Sequence, residues 1–167
     1  MDINRLNTGE KVIGVSGLLL FVFSFFSWLG ISAGPVSASK SAWGFPLLLI
    51  AVLLGLVMAG LVVAKAAGVD VPELGNLKWA HILLGVAVLV FLLILIKLIV
   101  GPSSWNGFSL SGSGVSKDRK IGIFLGLLAS IGLVAGAFLN AKETGDLPGN
   151  LGGATGGGSA PPPPPTA

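Results

Sequence analysis

Residues 79–100 read WAHILLGVAVLVFLLILIKLIV, and this stretch decides the class of fold. From Ile82 to Ile96, thirteen positions are Leu, Ile, Val or Phe, and apolar and polar residues do not alternate. A strand of a transmembrane barrel would alternate over about ten residues. An apolar run of 22 residues, at ~1.5 Å rise per residue, matches a helix crossing a hydrocarbon core ~30 Å thick. Within hydrocarbon the backbone must find its hydrogen-bond partners inside the protein, and a helix supplies them. Lys97 is the one charged residue in the run. The thirteen apolar side chains favour insertion by roughly 4 to 8 kcal/mol, against about 3 kcal/mol for a lysine at mid-membrane, so the segment inserts. Gly101 and Pro102 follow closely and should stop the helix, so the stem of Lys97 carries its ammonium to the headgroups.

Working outward, three further runs have the same character: residues 12–31 (VIGVSGLLLFVFSFFSWLGI), 43–64 and 121–139, of 20, 22 and 19 residues. None contains Asp or Glu. The expectation is an all-α polytopic membrane protein with four transmembrane helices, spanning about 12–31, 43–64, 79–100 and 121–139. Residues 1–11 form an N-terminal tail, and residues 140–167, ending GGATGGGSAPPPPPTA, form a disordered Gly/Pro-rich tail. Composition agrees with this reading. The 167-residue chain is 53% hydrophobic with 26 further glycines, and 10% charged where ~25% is usual. Seven acids, ten bases and one histidine cannot coat a water-soluble body of this size. A cytosolic enzyme and a nucleic-acid binder are disfavoured, and the absence of cysteine excludes a disulfide scaffold.

Arg5 and Lys11 before the first run, with Val36-Ser37-Ala38 after it, resemble a signal peptide and its cleavage site. The run is longer and more aromatic than a usual signal core, which favours a retained helix. Residues 32–42, 65–78 and 101–120 read as connecting loops.

The seven acids all lie outside the expected spans, and with no cysteine or tyrosine there is no catalytic constellation, metal set or cofactor motif. His81, beside Lys78 and not far from Asp70 and Glu73, reads as an interfacial histidine. The tryptophans are more telling. Trp28, Trp43, Trp79 and Trp105 all fall at expected span ends, where an indole suits the membrane-water boundary. Small residues recur every four positions at Ala51, Gly55 and Ala59, at Gly122, Gly126 and Ser130, and again at Gly132, Gly136 and Asn140. Such stripes let helices approach closely, here within one chain rather than between two. Lys117, Arg119 and Lys120 precede the fourth run as a topology-setting flank and candidate contacts for anionic headgroups.

The opening NRLNTGEKVIGVSGLLLFVFSFFSW, the Trp43 start of the second run and KIGIFLGLLASIGLVAGAF in the fourth resemble the small four-helix integral membrane proteins of actinobacteria and related high-GC bacteria. That resemblance implies a multi-pass protein of the plasma membrane. It transfers no catalytic residue, because no activity is established for the class. The expected role is a non-enzymatic scaffold or accessory subunit of a membrane or envelope assembly. The alternative is a small transporter acting as an oligomer, with a polar path from Ser16, Ser24, Ser27, Ser130 and Asn140. The expected partners are the lipid bilayer and other membrane proteins or a second copy, with no nucleic acid, small-molecule substrate or cofactor indicated. Flanking Lys and Arg residues favour both termini in the cytoplasm.

Overall fold

The computed structural model describes residues 6–69, 79–102, 104–105, 108–109 and 116–145. Helix α1 runs Thr8–Phe23 and is followed by strands β1 (Ser27–Ala33) and β2 (Val36–Ser41). A single 3-10 turn, Ala42–Gly44, leads into helix α2, Pro46–Ala66. Helix α3, Trp79–Val100, is followed by strands β3 (Ser104–Trp105), β4 (Phe108–Ser109) and β5 (Ser116–Arg119), and helix α4 spans Ile121–Glu143. Three helices, α2, α3 and α4, are long and apolar enough to cross a membrane.

The helices pack around a core that includes Ile13 and Leu20 of α1, Leu48, Val52 and Met58 of α2, Leu83, Val90 and Ile94 of α3, and Ile123 and Leu133 of α4. The outward faces are apolar too. Leu18, Ile50, Val57, Leu92, Ile96, Phe124, Leu128 and Ile131 are exposed. An all-round apolar helix belongs in hydrocarbon or in the interior of a large protein.

The expected span 12–31 is corrected. α1 begins four residues earlier, at Thr8, and stops at Phe23. Its start is set by a capping box, in which the Asn7 side chain accepts from the Glu10 N–H at 2.7 Å and the Glu10 carboxylate accepts from the Asn7 N–H at 3.2 Å. At the other end the Ser24 hydroxyl donates back to the Phe21 carbonyl at 2.6 Å, and the chain turns into β1. The all-α expectation is corrected with it. β1 is the centre of a three-stranded antiparallel sheet, ordered β2-β1-β5. Hydropathy alone could not separate these states, since a short apolar run suits a buried strand as well as a helix.

Residues 32–42, expected as a loop, lie mostly in the β1-β2 hairpin. Ala33 pairs with Val36, leaving Gly34-Pro35 as a two-residue turn. Gly34 has φ +59°, and the proline fixes the next φ negative, as in a type II′ hairpin turn. Val36, Ser37 and Ala38, which resemble a cleavage site, are paired strand residues. Within β1, Ser27 pairs with Ser41 and Leu29 with Lys40, so Trp28 is an extra, bulged residue. A bulge breaks the alternation of faces, which is how Trp28 and Leu29 can be buried side by side.

The remaining boundaries shift less. α2 starts at Pro46, a favourable residue for a first helical turn, rather than at Trp43, and α3 keeps the expected bounds. α4 continues to Glu143, so Asn140 to Glu143 are helical and not tail. Thr144 and Gly145 form the turn that ends α4, and the expected tail from residue 146 onward lies outside the described residues.

Candidate functional site

The sheet gathers the end of α1, the start of α2, the end of α3 and the start of α4 at one end of the bundle. Trp28 is its keystone. The indole is fully buried, and its Nε1–H donates to the Phe23 carbonyl at 2.8 Å. The ring lies on Gly122 and Gly126 of α4, and a Cβ at either glycine would overlap it. Trp28 is therefore a core residue and not a lipid-facing anchor. Its place inside the predicted first span concealed the strand that buries it.

Trp43 is partly exposed beside α1. It donates from Nε1 to the Ser24 hydroxyl at 3.0 Å and meets the rings of Phe21 and Phe25 at 6.4 and 5.7 Å. With the exposed Phe25 and Phe26 it forms an aromatic rim at the sheet end. Trp79 opens α3 at the opposite end, half-buried. Trp105 stands in β3, and its side chain lies outside the described residues.

The basic residues of the sheet end hold the fold together. Arg119 donates from its guanidinium to the Leu98 and Ile99 carbonyls at 2.7 and 2.9 Å, satisfying acceptors that the last turn of α3 leaves open. Asp118 accepts from the Ser32 hydroxyl at 2.5 Å and lies 3.9 Å from the Lys120 ammonium. The Lys120 backbone N–H donates to the Trp28 carbonyl at 2.9 Å. Lys117 is exposed, and its stem passes beside Gly101. In the last turn of α3, the Lys97 ammonium sits 5.7 Å from the centroid of the Phe45 ring, a cation–π distance.

The small-residue stripes meet α1. Gly17 of α1 faces the Gly55 carbonyl and the Ala59 methyl, and Leu20 lies over Gly55. Ala51 is fully buried in the same α2 stripe. On α4, Gly132 meets Ser16, while Gly136 meets the Ile13 N–H and the Gly9 carbonyl. Ser130, two residues before Gly132, is fully buried, its hydroxyl donating to the Leu127 carbonyl at 2.7 Å.

At the far end a polar cluster forms that sequence reasoning missed. Glu10 is 1% exposed and ion-paired with Lys65 of α2. Asn7 donates to Asn140 Oδ1 at 2.7 Å, and the Gly9 N–H donates to Glu143 at 3.1 Å. Asn140 Nδ2 is buried without a hydrogen-bond partner. The signal that was available is the Asn7-x-x-Glu10 spacing, which marks a helix start and moves Glu10 into α1. The partners on α2 and α4 had no local signal.

Of the suggested polar path, Ser24 and Ser130 are satisfied by backbone carbonyls, and Ser27 bonds Ser39 at the sheet. Among the described residues, no group of three or more His, Cys, Asp or Glu side chains is placed to hold a metal ion. Comparison of the chain with models of known protein families, with curated proteins and with solved structures found no match in any of the three.

Proposed function

We propose that the chain is a non-enzymatic multi-pass protein of the cell membrane, with all four helices in the bilayer and a sheet capping one face. It serves as a scaffold or accessory subunit of a membrane or envelope assembly. On this reading it stands beside the small four-helix membrane proteins that its sequence resembles. The supporting observation is how the side chains are distributed. The outward faces are hydrocarbon, and the polar groups at the two ends join one element to another, as Arg119 joins β5 to α3 and Glu10 joins α1 to α2. α1, of 16 residues, would traverse ~24 Å on its own, and the aromatic turn at Phe25, Phe26 and Trp43 would carry it to the interface.

Co-purification from native membranes in mild detergent tests the role. A stoichiometric protein partner is the expected result, and a homo-oligomer that passes solute after reconstitution would overturn it in favour of a transporter. Orientation is tested by single-cysteine labelling, since the chain has no cysteine. With both termini cytoplasmic, a cysteine at the exposed strand position Ser37 reacts with an impermeant maleimide on intact cells, and one at Thr155 does not. The reversed pattern inverts the topology.

A further inference from the structure

A groove of about 280 Å³ runs along the outer face of the α1-α2 pair, lined by Leu6, Lys11, Val15, Leu18, Val62 and Val63 among others. Its floor is opened by Gly14, where a Cβ would stand 3.4 Å from a methyl of Val62. From Lys11 to Leu18 the groove follows α1 for about 10 Å, leading from the helix start toward its middle. The walls are hydrocarbon, the stem of Lys11 included, and Lys11 lies near the helix start and is exposed.

The neighbouring charges leave Lys11 available. Glu10 adjoins it in sequence but is buried and paired with Lys65, and Glu143 accepts from the Gly9 N–H. No ion pair reaches Lys11 among the described residues. An apolar channel with an exposed lysine at its helix-start end suits a molecule with a hydrocarbon chain and an anionic head.

We propose that this groove is a binding site for one anionic phospholipid, an acyl chain lying over Gly14 between Val15 and Val62 and the phosphate meeting the Lys11 ammonium. The inference rests on the membrane reading above. Lys11 confers the preference for anionic over zwitterionic heads, and the groove confers retention of the chain.

The test uses the full chain in nanodiscs holding equal parts phosphatidylglycerol and phosphatidylcholine, with lipids retained after release counted by native mass spectrometry. Wild type is expected to retain one phosphatidylglycerol in preference to phosphatidylcholine. Lys11→Gln lowers that preference by about fivefold, the factor expected of one surface charge, and leaves occupancy by either lipid in place. Gly14→Leu fills the floor and abolishes retention of both. Lys142→Gln, which removes an exposed lysine from the last turn of α4, changes neither. Retention unchanged in Gly14→Leu, or the same preference lost in Lys142→Gln, overturns the site. Alkaline carbonate extraction of the same variants separates the two levels of failure. A chain that stays in the membrane without retaining lipid refutes the groove alone, and one released into the wash refutes the membrane reading as well.

Discussion

At the start of α4, Gly122 and Gly126 lie beneath the indole of Trp28, whereas near its end Gly136 faces the backbone of Gly9 and Ile13 in α1. Both halves carry glycines four residues apart, and in sequence they look alike. One receives a bulged strand residue and the other a crossing helix. A stripe of small residues states that something comes close and leaves open what. At Gly126 the contact is shape matching by a single large ring, which a change of ring can relieve. The second is backbone against backbone, where no rotamer gives way.

That contrast predicts its own breaking point. Gly126→Leu drives a branched side chain into the fully buried indole, and its cost should reach or pass the ~3 kcal/mol typical of severe overpacking. Thermal unfolding in detergent measures it. In a Trp28→Ala background most of that cost should vanish, because the leucine then occupies volume that the ring has left. Gly136→Leu should remain as damaging in that background as in wild type. Equal penalties in both backgrounds would erase the distinction between the two halves.

Gly9→Ala probes the backbone contact directly. The added methyl overlaps the Asn140 backbone, so α1 and α4 must separate at that end, at roughly 1–3 kcal/mol. The Asn7–Asn140 and Gly9–Glu143 hydrogen bonds should weaken together. Faster proteolysis at the far end than at the sheet end is the accompanying readout. Uniform protection would show that the two ends open as one.

A smaller effect is expected for Trp28→Phe, which keeps a ring over Gly126 and loses the donation to the Phe23 carbonyl, at about 1 kcal/mol. The smallest changes are Gly60→Ala and Gly85→Ala. Neither position has an atom within 4 Å of an added Cβ, so both should be neutral or stabilising by up to ~1 kcal/mol through helix propensity. A marked loss at either one would mean that this outward face is covered by a partner.

Much of this architecture was legible. The runs at 79–100 and 121–139 give α3 and nearly all of α4, because an apolar stretch beyond eighteen residues has few other solutions. The first run misled because Trp28, Leu29 and Ile31 are as apolar as any membrane helix. The corrective was present in Gly34-Pro35, a two-residue turn between two short segments that pair as a hairpin. The candidate anchors divide accordingly, Trp43 at a partly exposed rim and Trp28 inside the core. For Glu10 the capping spacing was readable, and the Lys65 that pairs with it was not.

By itself the amino-acid sequence determined that three helices are long and apolar enough to cross a membrane, and, to within a few residues, where α2, α3 and α4 run. Hydropathy and helix length are sums over neighbouring residues and can be read locally. The tertiary structure alone decided that α1 stops at Phe23, that β5 pairs with a strand far earlier in the chain, and that α4 seats an indole at one end and a helix backbone at the other. Those outcomes depend on which surfaces meet. A side chain's contacts are set by shape across the fold, which no count along the chain contains.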